Sequence, residues 1–168
     1  YDMGYRLSSS GDIYNEAKGI AAIQKYATLF GLGEKTGIEI PENDPQIANE
    51  YPITSAIGQS NHNFTTTQLA RYVTAVASSG DIYKLTLLEK ETDSDGNLVK
   101  EFQPEIIRHI SEVAAPSWDA IHTGMREVVA NSDIFKDLPI ALAGKKGTAQ
   151  QIENRANHAL FIAYAPFE

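Results

Sequence analysis

The strongest constraint on the fold lies near the C-terminal end of the sequence. Two short apolar runs rich in strand-forming residues, 139–142 and 159–164, are separated by a polar connection containing Gly147, Asn154 and Asn157. Such runs read as β-strands, and the spacing predicts an antiparallel pair. Upstream the period changes to that of a helix. After a polar break at residues 8–12, Ile20, Ile23, Ala27 and Phe30 fall on one helical stripe, which Gly31 and Gly33 stop. Residues 33–52 are rich in Gly, Pro, Glu and Asn and predict an irregular segment, briefly extended at 37–40. Thr65-x-x-Gln68 is a capping-box pattern, and Leu69, Val73, Val76 and Ala77 give the helix it opens an apolar face ending before Gly80. Residues 85–102 read as a hairpin turning at Asp95-Gly96. A third helix follows Pro116 and Ser117, with Trp118, Ile121, Met125 and Val128 as its stripe. Helices and hairpins in irregular order predict an α+β fold, an antiparallel sheet with flanking helices, rather than a doubly wound parallel sheet. No internal repeat is present.

Composition narrows the function classes. At about 150 residues per domain, 168 residues suggest one domain, and 42% hydrophobic with 21% charged residues suffices for a packed core. The formal net charge of -8 has the wrong sign for a phosphate backbone, so no nucleic-acid partner is expected. The absence of Cys excludes disulfides, thiolate metal sites and cysteine nucleophiles, and leaves the redox compartment open. The most apolar stretch, 159–167, is far shorter than the ~20 residues of a membrane helix. Tyr1 is not an initiator Met and no signal sequence follows it, so the chain is expected to have been processed or cut from a longer one.

Several partial motifs fail on mechanism. Gly31-Leu32-Gly33-Glu34-Lys35-Thr36 resembles a phosphate loop, but Glu34 sets a carboxylate where backbone N–H groups should cradle anionic oxygens. Asp93-Ser94-Asp95-Gly96-Asn97 has a calcium-loop look, yet Phe102 stands where the bidentate Glu belongs. His62, His109, His122 and His158 include no pair spaced for one helical face, so neither a metal site nor a cofactor is expected. There is no Gly-x-Ser-x-Gly elbow; Ser60 in Gly58-Gln59-Ser60-Asn61 comes nearest. Ala143-Gly144-Lys145-Lys146-Gly147-Thr148-Ala149-Gln150 is different. A cation, a Gly that admits another backbone and a hydroxyl on one strand edge suit a carboxylate and an extended peptide. Alternation sends Lys146 and Thr148 to one side and Lys145 and Gly147 to the other. The competing reading is a solvated edge strand blunted by lysines.

As a whole, residues 143–150 resemble the third active-site motif of penicillin-binding proteins, Lys-Thr-Gly-Thr or Lys-Ser-Gly-Thr. Other stretches agree in order along the chain. Residues 30–42 look like the segment these transpeptidases carry between their second and third motifs. Ala56-Ile57-Gly58-Gln59-Ser60, followed by Thr65-Thr66-Thr67-Gln68-Leu69-Ala70-Arg71-Tyr72, is similar to their Ile-Gly-Gln-Gly and Thr-Pro-Leu-Gln-Leu-Ala stretches. Gly124-Met125-Arg126-Glu127-Val128-Val129 and residues 157–167 also match. The resemblance spans nearly the whole chain and is nearest to class B, monofunctional transpeptidases.

It implies a penicillin-binding transpeptidase (β-lactamase-like) fold, with residues 1–168 as the C-terminal part of such a domain. The implied activity is D,D-transpeptidation, cross-linking peptidoglycan stem peptides through a serine acyl-enzyme that β-lactam antibiotics also form. Lys145 would be the catalytic lysine of the motif, polarising the proton relay and attracting the terminal carboxylate. Gly147 would admit the substrate backbone, and Thr148 would offer its hydroxyl to the carboxylate and its N–H to the oxyanion hole. Lys146 would also line the substrate. The implied partners are the stem peptide, β-lactams, the upstream half of the same domain and cell-wall synthesis proteins. The implied location is the extracytoplasmic face of a bacterial membrane, with the parent protein anchored by an N-terminal segment outside this chain.

Two departures stand out. Position 146 is Lys where the family has Thr or Ser, which exchanges a hydroxyl donor for a flexible cation. No Ser has Lys three residues on, Ser132 coming closest with Lys136 four away, and there is neither Ser-x-Asn nor Tyr-x-Asn. The chain alone is therefore expected to be inactive. In the family the second motif lies just before a helix resembling residues 1–7, so the chain is expected to begin a few residues after it. The alternatives are a non-catalytic, penicillin-binding-like module that binds peptide or scaffolds cell-wall partners, and a β-lactamase or β-lactam sensor.

Overall fold

A computed structural model of the chain describes residues 1–135, 137–149 and 156–167. It opens with α1 (Asp2–Ser8), the small hairpin β1 (Ser9–Ser10) and β2 (Ile13–Tyr14), and α2 (Glu16–Leu29). Asn15 caps α2 by accepting the Lys18 N–H at 3.0 Å. Beyond Phe30 the chain turns at Gly31, whose φ of 80° suits glycine and whose absent Cβ would sit 3.2 Å from the Arg71 guanidinium. Residues 33–51 are irregular as expected, without a strand at 37–40, and lead into the short α3 (Pro52–Ser55).

α4 (Thr66–Ala77) begins at the expected capping box. Thr65 Oγ1 accepts the Gln68 N–H at 3.2 Å, and Gln68 Oε1 accepts the Thr65 N–H at 2.8 Å. Its buried face is Gln68, Arg71, Ala75 and Val76, so three of the four expected apolar positions, Leu69, Val73 and Ala77, are only half-buried. The reason is polar: Gln68 and Arg71 turn inward to bond the loop after α2.

β3 (Asp81–Lys84) pairs antiparallel with β6 (Glu105–His109), and β4 (Lys90–Thr92) pairs with β5 (Leu98–Glu101) between them. The hairpin expected over 85–102 is thus shorter, and it is nested inside a second pair. Thr86 and Leu87 leave the ladder because the Thr86 hydroxyl and the Leu87 N–H donate to Glu39, at 2.6 and 2.8 Å. α5 (Ala115–Ala130) carries Pro116 in its first turn and buries Trp118, Met125 and Val129. Trp118 and Met125 are thus where the expected stripe places them, whereas Ile121 is exposed and Val128 half-buried, Val129 taking the core position in its stead.

β7 (Ala143–Ala149) and β8 (His158–Tyr164) form the last antiparallel pair, in register from Ala143 opposite Tyr164 to Ala149 opposite His158. This corrects the expected strand at 139–142, which bends instead. Its carbonyls are taken elsewhere: Leu142 O accepts from Arg126 Nη1 and Ala141 O from the Phe167 N–H, each at 2.9 Å. The ladder opposite β8 falls to the polar residues that follow. Gln150 and Asn154 of the connecting segment, and Lys136, lie outside the described residues.

Two packed clusters join the layers. Ala75, Ile82, Ile110 and Trp118 bring together α4, β3, the residue after β6 and α5. Val76, Met125 and Ala143 seat β7 on α4 and α5, and Phe30 packs against both clusters. The architecture is α+β, with antiparallel strand pairs flanked by helices. No helix among the described residues is long and apolar enough to cross a membrane.

Candidate functional site

The rejected motifs are all resolved as internal structure. In residues 31–35 the carbonyls, not the N–H groups, converge on a partner. Arg71 donates from Nη2 to Gly31 O at 2.5 Å and Glu34 O at 3.2 Å, and from Nη1 to Lys35 O at 3.2 Å. That polarity repels phosphate. Burial pulls the Arg71 pKa below its ordinary value, and the Glu34 carboxylate opposes the shift. The N–H groups of Thr36 and Gly37 do face an anion, but it is Glu42 of the same chain, at 2.8 and 3.2 Å.

Asp93 accepts from the N–H groups of Asp95 and Asn97 at 3.0 and 2.8 Å, which makes the calcium-like segment a side-chain-closed hairpin turn. Ser60 has a φ of 106°, and its hydroxyl donates to Glu50 O at 3.1 Å. His62 is held by the Ala48 N–H at 3.1 Å and Ser55 O at 3.2 Å, and His109 contacts Asp81 at 2.6 Å. No group of three or more metal-ligating side chains occurs among the described residues.

All four candidate residues, Lys145, Lys146, Gly147 and Thr148, lie on β7 and are exposed, whereas Ala143 and Gly144, which start the strand, are buried. The strand is therefore anchored at one end and presented at the other. Lys145 Nζ donates to Lys146 O at 2.6 Å, while Lys146 makes no side-chain hydrogen bond or ion pair with the described residues. β7 has β8 on one side and, among the described residues, no strand on the other. Its outer edge thus offers backbone donors and acceptors to an incoming extended peptide.

The register assigns faces to the site. Residues directly opposite share a face, so Gly144, Lys146 and Thr148 lie with Phe161, and Lys145 and Gly147 lie with Leu160 and Ile162. Phe161 stacks on Phe135 with ring centroids 5.0 Å apart, and its ring edge crosses Gly144, where a Cβ would fall 2.7 Å from Cζ. Sequence reasoning did not single out Gly144, Phe135 or Phe161 as supports of the site. An interior strand glycine was the available signal for a close approach. Gly147 differs, since a Cβ there meets nothing within 4 Å.

The candidate site is thus a helix-backed antiparallel hairpin in an α+β fold, with Lys145, Lys146, Gly147 and Thr148 exposed along β7. The sequence model of the penicillin-binding protein transpeptidase domain matches residues 12–168. The chain belongs to that family.

Among curated relatives, it is 27% identical over 165 residues to penicillin-binding protein 2A of Bacillus subtilis, an alignment covering 85% of this chain and 23% of that protein. It is 26% identical over 207 residues to the peptidoglycan D,D-transpeptidase MrdA of Haemophilus influenzae, covering 99% and 31%. The solved structure of penicillin-binding protein 2B from Streptococcus pneumoniae superposes with a TM-score of 0.76 at 22% identity, covering 98% of this chain and 30% of that one. The chain spans about a quarter of the length of the curated relatives it matches.

Proposed function

We propose that residues 1–168 are the C-terminal part of the transpeptidase domain of a D,D-transpeptidase that cross-links peptidoglycan stem peptides, and that β7 is its substrate-binding strand. The observation that carries this reading is an exposed Lys145–Thr148 segment on an open strand edge within a chain matched by the family over residues 12–168. The stem peptide lies along β7 as an added strand. Lys145 attracts its terminal carboxylate and polarises the proton relay. Gly147 leaves space for the peptide backbone, and Thr148 offers its hydroxyl to the carboxylate and its N–H to the developing oxyanion.

The acylated serine and its base come from the rest of the domain, since no Ser-x-x-Lys occurs in this chain. The same serine is the target of β-lactams, and the parent protein works on the extracytoplasmic face of the membrane, held by a segment outside these residues. Cell-wall synthesis proteins are its expected partners.

Lys146 weakens productive binding, because an ammonium on a flexible stem orients a carboxylate less well than a short hydroxyl does. Fluorescent penicillin is expected to label the intact protein, and Lys145→Ala to slow labelling about 100-fold or more, the scale of a lost proton-transfer group. Lys146→Thr is expected to speed labelling about tenfold, the scale of one hydrogen bond to a charged group. An unchanged rate in Lys146→Thr overturns the role given to Lys146, and labelling of the 168-residue chain alone overturns the placement of the nucleophile outside it. The absence of Ser-x-x-Lys and Ser-x-Asn also favours a second reading, a non-catalytic module that binds peptide or scaffolds cell-wall partners. An intact protein that binds stem peptide and takes no penicillin label would establish that alternative.

A further inference from the structure

A second cluster of chemistry-bearing side chains sits at the buried end of the β7–β8 hairpin, where Tyr164 faces Ala143. A pocket of about 450 Å³ opens there between the C-terminus of α4, the middle of α5 and the end of β8. Its wall includes three rings, those of His122, Tyr164 and Phe167, beside Ala77, Ser79, Asp119 and Thr123. Tyr164 meets the His122 ring edge-on at 5.9 Å and the Phe167 ring at 6.4 Å. His122 is fixed as a wall because its Nε2 donates to Val76 O at 2.7 Å and its ring stacks on Trp118.

The charge of the pocket has one sign. Asp119 lines it, is exposed and makes no hydrogen bond or ion pair with the described residues. No Lys or Arg is among the lining residues. α4 also ends there, at Ala77, with no basic residue in its last turn, so it brings no positive charge to the pocket. Hydroxyls of Ser79 and Thr123 add acceptors at the rim.

We propose that this pocket binds a primary alkylammonium group. The cation lies against the Tyr164 and Phe167 faces, which attract positive charge through their ring quadrupoles. Its N–H bonds go to the Asp119 carboxylate and the rim hydroxyls, and its alkyl stem covers the apolar wall. Anions meet the wrong field, and neutral groups gain only the apolar contact. The group can come from a small free amine or from a lysine side chain of a peptide.

The test is an NMR titration of the full chain that follows the His122 and Tyr164 ring resonances, with n-butylammonium, 1-butanol and acetyl-Gly-Lys-Gly-amide as separate probes. Saturating shifts with n-butylammonium, and none with 1-butanol, are expected. A tighter response to the peptide assigns the ligand to a lysine side chain, and an equal response assigns it to the free amine. Asp119→Asn, an exposed change that leaves the packing intact, is expected to weaken ammonium binding about fivefold, the scale of one partly exposed charge contact. Equal shifts with 1-butanol, no response to either amine, or wild-type affinity in Asp119→Asn overturns the proposal.

Discussion

Residues 31–37 and 144–148 are both built largely of Gly, Lys and Thr, yet the chain uses them in opposite ways. In the first segment nearly every polar group is consumed internally: three carbonyls bond Arg71, and the Thr36 and Gly37 N–H groups bond Glu42. In the second, Lys145 through Thr148 stand exposed on a strand that has an open edge among the described residues, where the one side-chain bond runs between neighbours. The difference comes from what packs nearby. α4 brings a buried guanidinium to the first segment. The second has a helix-packed base, Ala143 and Gly144, and among the described residues only β8 beside it, so its outer edge has no strand partner. A similar composition thus yields a structural clamp where the fold supplies a partner, and an exposed edge where the described residues supply none.

The largest effect expected from breaking this contrast is at Arg71. Arg71→Leu removes the partner of the buried Gly31 carbonyl and of the part-buried Glu34 and Lys35 carbonyls, and should cost about 2–4 kcal/mol of stability. Chemical denaturation of the variant measures it. A loss below about 1 kcal/mol would show that the clamp does not hold the loop. The hairpin supplies a smaller, internally controlled comparison. Gly144→Ala drives a Cβ to 2.7 Å from the Phe161 ring and 2.9 Å from Ile162 O, and a backbone oxygen in a ladder cannot yield. A cost of about 1–3 kcal/mol is expected, the usual penalty of overpacking. Gly147→Ala, three residues along the same strand, should change stability by no more than about 0.5 kcal/mol because its surroundings are open. It should still slow labelling of the intact protein by penicillin, since the added methyl occupies the space proposed for the substrate backbone. Equal stability losses at the two glycines would erase the distinction between the anchored base and the presented edge.

Helix positions were legible because they rest on local signals: the Thr65–Gln68 capping box and the stop at Gly31 are both where the pattern places them. What hid was decided by long-range polar contacts. The inward turn of Gln68 and Arg71, the loss of Thr86 and Leu87 from the hairpin to Glu39, and the bending of residues 139–142 all follow from hydrogen bonds to partners distant in sequence. The pairing of β3 with β6 spans another hairpin, so no periodicity announces it. The candidate strand was readable for a different reason. Lys145, Gly147 and Thr148 are singled out by residue type, and the structure places them exposed on β7, where the proposed peptide and its carboxylate would lie. Its supports, Gly144 and the Phe135–Phe161 stack, depend on the strand register and stay hidden until the pairing is known.

The smallest expected effect separates the two segments by pH. Burial alone would raise the Glu42 pKa, but donors from Thr67, Thr36 and Gly37 together hold it below the ordinary glutamate value. A carboxyl whose pKa is lower folded than unfolded stabilises the fold above its unfolded pKa, about 4.3, and loses that contribution as pH falls through the folded value. Glu42→Gln should therefore be less stable than the parent at pH ~7, with the gap closing toward pH ~3 as Glu42 is protonated. Denaturation midpoints at the two pH values test this, and a gap of the same size at both would remove the ionised carboxylate from the account. Residues 143–149 contain no carboxylate, so Lys146→Thr should show no such closing gap over this range. If it did, the cation at position 146 would be tied to an acidic partner of the fold, and the edge of β7 would be a clamp like residues 31–37 rather than the open edge proposed to take a substrate.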